Sequence, residues 1–473
     1  MKLLTDHWTY KIDGLGYEKF ATNLCRLLIN AHTPAAITIS GRWGTGKTSM
    51  LRYVMRALGG DPSTSLSTLG KKTTDEPDEE FKLPPGLQDI KQTTENVWTV
   101  WFNPWQYQAE QNPMIPLLHE IRSQISLSEK LVRLIDSKEI KAGFLDAMEA
   151  GLYTLGSLAD DAINLSFGRK VISSGAKFSE QIEKRYEKRR QKRFSEPVNA
   201  QLFYLEFEKA VRQIVGAKGR LVIFIDDLDR CGNQTVFALL ESIKLYLSCR
   251  QCVFVFGLDR IHIESALQEA GQYSMDEARQ YIEKLFQASF YLPVPSPGNL
   301  LEFVKGCLHK LDLYDEKRKY EDYIVKWLPA NPRVIKTALN GLPLYRSMLD
   351  ADYLEDQKWL LVHFFRVLYP DVYELLRQNP EDTFQAIRKI REEGIDFHNQ
   401  QQAYIFYTLE NPIKQSPAIQ EPQSQPGKAT QMEESRFRKI RATAWQAETL
   451  HAFQNDFVDA FIGDREVLKA YLI

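Results

Sequence analysis

Cysteine, long apolar runs and surplus charge are all scarce in this chain, and each scarcity excludes a class of protein. Of 473 residues only 5 are cysteine, an odd number in mostly apolar surroundings, which argues against a disulfide framework. Cys249 and Cys252 have CxxC spacing, but no second pair accompanies them and the apolar run Val253–Phe256 follows at once. They read as structural thiols, not as a metal or redox site. No stretch offers the roughly 18 consecutive apolar residues that a membrane helix requires. The segment Gly151–Gly175, rich in small and apolar residues, is interrupted by Asp160, Asp161, Arg169 and Lys170. Lys2, Asp6 and His7 crowd the two leucines at the N-terminus, so no signal-peptide core is seen and a cytoplasmic protein is expected. Sixty basic and 62 acidic residues give a net charge of −2, and any nucleic-acid contact would have to be local. One local candidate exists at 184–193, with seven basic residues in ten. It reads either as a solvated helix face or as a contact for nucleic acid, acidic lipid or an acidic partner.

What is present is a globular balance, 44% hydrophobic and 26% charged, in a chain long enough for two or three domains. The apolar run Ile37–Ser40 leads into Gly41-Arg42-Trp43-Gly44-Thr45-Gly46-Lys47-Thr48-Ser49, and a helix-compatible segment, Met50–Leu58, follows. Strand, G-x-x-x-x-G-K-T and helix in that order make a phosphate-binding loop; the other reading is a glycine-rich turn. In such a loop the glycines let backbone N–H groups point at the β-phosphate. Lys47 spans the β- and γ-phosphates, and the Thr48 hydroxyl ligates Mg²⁺. The dipole of a helix Ser49–Leu58 would add to the same site.

The second half of the site is expected at Leu221–Ile225, a buried-type strand that ends in Asp226-Asp227. On a strand neighbouring the first, Asp226 would hold Mg²⁺ through a water. Asp227, facing the other way, would act as base toward the attacking water. Arg230 has three readings: a group near the phosphates, a finger into a neighbouring subunit, or a surface ion pair with Asp229. Asp259, at the exit of Cys252–Leu258, is either a γ-phosphate sensor or a helix cap. In Asn331-Pro332-Arg333 the first residue caps a helix and the second suits its first turn. Arg333 runs against the helix dipole there, which suggests a duty such as reaching the γ-phosphate.

Taken together the motifs are specific. G41-R-W-G-T-G-K-T-S49, W101-F-N-P-W-Q-Y107, I225-D-D-L-D-R-C231, F256-G-L-D-R260, Y281-I-E-K-L-F-Q287 with F290-Y-L-P293, and N331-P-R-V-I-K336 occur in that order. The chain resembles the KAP family of P-loop NTPases over roughly residues 10–345. The resemblance implies an α/β P-loop core with a central parallel sheet flanked by helices, followed by a helical domain. The expected boundaries are 1–295 for the core, with insertions at about 59–95 and 108–200, then 296–410 for the helical domain. A disordered linker is expected at 411–436 and a small C-terminal helical segment at 437–473. ATP and Mg²⁺ are the expected ligands and hydrolysis the expected reaction. Residues 41 and 43–49 would contact phosphate, and Arg333 would match the helical-domain arginine that senses nucleotide. Family members often carry membrane hairpins between the two halves of the site, and this chain departs from that pattern in its charged 151–175 segment. The resemblance also suggests bacterial defence against phage or plasmids, in a homo-oligomer or a complex with other defence proteins. A non-hydrolysing nucleotide-gated scaffold and a nucleic-acid-dependent motor are the alternatives.

Overall fold

Strands form where the chain is apolar on both faces at once. The computed structural model describes residues 2–4, 13–61, 64–65, 81, 83, 85–90, 96–110, 113–128, 197–244, 248–315, 319–354, 356–394, 400–410 and 444–472. The acidic cluster Asp75–Glu80, the segment Gly151–Gly175, the basic run 184–193 and the linker 411–436 lie outside these. The chain divides into two units. One comprises Trp8–Asp13 and Tyr17–Pro293; the other comprises Met1–His7, Gly14–Gly16 and Val294–Ile473.

The first unit is built on five parallel strands, β1 (Ala35–Ser40), β2 (Val97–Phe102), β3 (Arg220–Ile225), β4 (Cys252–Leu258) and β5 (Ala288–Tyr291), in the order β2-β3-β4-β1-β5. β1 and β4 are buried along their whole length, as expected for parallel strands covered on both faces. β5 alternates half-buried and exposed positions at the edge. Helices α1 (Glu18–Asn30) and α2 (Lys47–Ala57) pack on each other, and α2 lies against β4. A continuous apolar core joins the sheet to α3 (Met114–Leu127), α4 (Pro197–Val215), α5 (Asn233–Lys244), α6 (Arg260–Ala270) and α7 (Met275–Leu285).

The sheet order corrects one expectation. β3, which leads into Asp226 and Asp227, is not the neighbour of β1; β4 runs between them. Apolar composition says that a strand is buried but carries no information about which strand it pairs with.

The second unit is helical: α8 (Pro297–Lys310), α9 (Tyr320–Trp327), α10 (Pro332–Ser347), α11 (Lys358–Leu368), α12 (Pro370–Gln378), α13 (Pro380–Glu392), α14 (Gln400–Glu410), α15 (Ala444–Phe461) and α16 (Arg465–Tyr471). α11 and α12 follow each other almost without a gap yet are two helices and not one. Pro370 has no N–H to continue α11 and instead opens α12, a position where proline costs little. α15 and α16 supply Phe453, Phe457, Phe461 and Tyr471 to the same core as Trp359, Phe364 and Phe365. The Tyr345 hydroxyl donates to the Tyr471 carbonyl at 2.6 Å, tying α10 to the end of the chain. At the other terminus Asn340 bonds both backbone groups of Leu4. Among the described residues no helix is long and apolar enough to cross a membrane.

Candidate nucleotide-binding site

The loop after β1 is shaped by its glycines. Gly44 and Gly46 take φ of 84° and 97°, in the left-handed region that a side chain would disfavour. Gly46 sits immediately before α2, which starts at Lys47, two residues ahead of the expected Ser49. The loop is braced from inside and outside. Thr45 Oγ1 donates to the Arg42 carbonyl at 2.7 Å, and the buried Tyr17 donates its hydroxyl to the Thr45 carbonyl at 3.1 Å. Trp43 is 60% exposed at the loop's tip, and Thr48 and Ser49 are half-buried in the first turn of α2.

Lys47 is buried and folds back across the loop. Its ammonium donates to the carbonyls of Gly41 at 2.7 Å and Arg42 at 3.3 Å, and forms an ion pair with Asp229 Oδ2 at 3.2 Å. Asp226, just past β3, is 1% exposed and hydrogen-bonded to the Thr48 hydroxyl. Burial pushes its carboxyl well above the usual carboxylate range. Asp227 and Asp229 push the same way, against the pull of Thr48 and Lys47. Among the described residues Asp226 Oδ2 has no hydrogen-bond partner. A β-carbon on Gly257, in β4, would stand 2.5 Å from Asp226 Oδ1 and 2.6 Å from Leu51 Cδ1. The bare backbone of β4 is thus what lets the acid that follows β3 lie beside the helix that follows the loop after β1.

Asp227 has a left-handed backbone, φ 59°, and heads a short 3-10 turn, Leu228–Arg230. Its two carboxylate oxygens accept from Asn103 Nδ2 at 2.8 Å and from Arg230 Nε at 2.7 Å. The Arg230 guanidinium also lies 5.5 Å from the Trp105 ring centroid. Burial raises the Asp227 carboxyl, while Arg230 and then Asn103 oppose the rise. Arg230 therefore pairs with Asp227 and not with Asp229. Asp259 caps α6, accepting from the Ile261 N–H at 3.1 Å. Arg333 belongs to the helical unit, in the first turn of α10, where Asn331 Oδ1 accepts from its N–H at 3.1 Å.

The fold thus gathers Lys47, Thr48, Asp226, Asp227 and Arg230, and adds three residues whose roles the motifs do not give. Asn103 is one: the register Phe102↔Ile225 sets it beside Asp226-Asp227, and only the pairing of β2 with β3 reveals that. Gly257 and Tyr17 are the others, a clearance and a brace that no phosphate-loop pattern contains.

The KAP family P-loop domain matches residues 17–349 of the chain. The chain belongs to that family. Among curated proteins this KAP chain is similar to the phage T7 exclusion protein of Escherichia coli K12, at 21% identity over 400 residues. That match takes in 79% of this chain but 48% of the relative, so the chain spans about half of that protein's length. An uncharacterised protein of Methanocaldococcus jannaschii is 28% identical over 170 residues, 31% of this chain and 82% of its own.

Family membership implies nucleotide binding in general, and the donor set fits a hydrated divalent cation. A hydroxyl and a carboxylate meet at Thr48 and Asp226, and one buried carboxylate oxygen is left over. That oxygen would carry a desolvation cost if nothing ever approached it.

Proposed function

We propose that this KAP protein is an ATPase whose nucleotide-driven conformational change or assembly activates or scaffolds a partner in bacterial defence against phage or plasmids. The observation that carries the chemistry is the buried oxygen Asp226 Oδ2 on the carboxylate that Thr48 bonds, one residue from the phosphate-loop lysine. In this reading residues 41 and 43–49 take the phosphates, with Lys47 balancing charge on the β- and γ-groups. Thr48 and Asp226 hold Mg²⁺, which when bound supplies positive charge to the phosphates. Asp227, with both oxygens fixed by Asn103 and Arg230, takes a proton from the attacking water. The defence role draws on the relative whose name records exclusion of phage T7.

The test is phosphate release by the purified chain, alone and with any protein that copurifies, beside Lys47→Ala and Asp227→Asn. Turnover that both variants lose supports the ATPase. Nucleotide binding with no turnover in either condition would leave a nucleotide-gated scaffold instead. The defence role is tested separately, by phage challenge of cells carrying the wild-type or the Lys47→Ala gene.

A further inference from the structure

The lysine that the proposed reaction needs for phosphate is already engaged. An ammonium group has three N–H donors. Those of Lys47 face three protein acceptors: Gly41 O at 2.7 Å, Arg42 O at 3.3 Å and Asp229 Oδ2 at 3.2 Å. The first two belong to the loop itself. The third is a carboxylate from a different segment, the turn Leu228–Arg230, and both side chains of the ion pair are only 7% exposed. We propose that Asp229 is an internal anion standing in for phosphate on Lys47, so that a nucleotide enters only by displacing it.

The local charges make this specific to Asp229. Three carboxylates lie within four residues, and each has its own partner. Asp226 has the Thr48 hydroxyl, Asp227 has Arg230 and Asn103, and Asp229 has Lys47. Of the three, Asp229 alone takes the cation that a phosphate requires. Phosphate and carboxylate cannot both keep Lys47 without bringing two anions together where water screens poorly. The exchange is near balanced, one buried anion for another. Apparent affinity is therefore lower than the loop geometry alone would give, by the fraction of molecules in which Lys47 is free. Such a site answers to anything that shifts the Leu228–Arg230 turn, a partner protein included, and it discriminates against single weak anions.

The inference rests on the nucleotide reading above, and its test separates the two. Binding of ADP, and of ATP with Mg²⁺, is measured by calorimetry on the full chain and on Asp229→Asn. This variant keeps an oxygen for Lys47 but removes the competing charge. Asp229→Ser is a smaller second variant, and a ligand-free thermal melt checks that each folds. The expected result is tighter binding in both variants, by about tenfold or more for ADP. Unchanged or weaker binding in variants that fold, with wild type binding normally, overturns the internal anion and makes Asp229 a supporting residue. If neither wild type nor variants bind any nucleotide, the nucleotide reading falls and this inference with it.

Discussion

The two units bury polar groups to opposite ends. In the helical unit the buried partners span the core and hold it together. His363 Nε2 lies 2.7 Å from the Ala338 carbonyl, Tyr345 reaches Tyr471, and Gln454 donates to Tyr369 and to the Leu409 carbonyl. In the α/β unit the buried charges converge past the ends of β1 and β3, where Asp226 is held in an unfavourable ionisation environment and Asp227 in a left-handed backbone. What separates the two is charge and place: these buried partners of the helical unit are neutral groups spread through its core, whereas the carboxylates of the α/β unit cluster at one end of a parallel sheet, the end where the proposed function puts the ligand. Changes in the α/β unit should therefore disturb ligand handling most, and changes in the helical unit stability most.

The largest expected effect tests where that contrast is sharpest. Lys47→Ala removes the phosphate lysine and also strands Asp229 as a buried charge without its cation. Loss of one partner of such a pair costs about 3 kcal/mol. The variant should lose nucleotide binding and also melt earlier, and adding Asp229→Asn should restore the melt without restoring binding. If Lys47→Ala melted like wild type, the ion pair would contribute nothing and the contrast would weaken.

His363 gives the next effect, in the helical unit. Burial, with Arg366 adding to it, lowers its pKa from 6.5 to about 4, against the opposing bond to Ala338. The folded state binds fewer protons than the unfolded one between those values, so stability rises with pH across that window. It is fully present above pH 6.5 and is lost as pH falls toward 4, by roughly 3 kcal/mol in all. Denaturant melts from pH 7.5 to 4.5 should show the slope, and His363→Gln should flatten it. A slope that persists in the variant would place the titration elsewhere.

Gly257→Ala follows at about 2 kcal/mol of overpacking, since the new methyl would meet both Asp226 and Leu51. The expected signature is a Mg²⁺-dependent part of ATP binding that falls further than stability does. A uniform loss of stability with Mg²⁺ dependence unchanged would mean that the glycine serves only the packing of α2 on β4.

How much of this was legible beforehand divides along the same line. The buried strands β1, β3 and β4 and the phosphate loop follow from local pattern, because apolar runs and left-handed glycines are properties of consecutive residues, whereas the short edge strand β5 alternates half-buried and exposed positions and carries no such run. Strand order is not local, and so the insertion of β4 between β1 and β3 was missed. With it went the reason for Gly257 and the approach of Asn103 to Asp227. The break at Pro370 is local in the same sense, since proline has no N–H with which to continue α11. An ion pair between the adjacent Asp229 and Arg230 was one of three readings open for that arginine. The 3-10 turn sends them to different partners instead.

Asn103 provides the smallest and most selective break. Its Oδ1 accepts from the Trp105 N–H at 3.1 Å, which fixes the amide so that Nδ2 must face Asp227. It touches none of the phosphate-loop residues in these contacts, so its effect should pass through the Asp227 carboxylate alone. Asn103→Ala should lower kcat about tenfold, close to 1.4 kcal/mol, with ADP affinity within about twofold of wild type. Asn103→Asp should be worse, because it sets a second carboxylate against Asp227 where Arg230 already serves only one. Should Asn103→Ala weaken ADP binding as much as it slows turnover, the residue would belong to the scaffold of the loop, and the division between ligand-handling and fold-holding polar groups would need redrawing at β2.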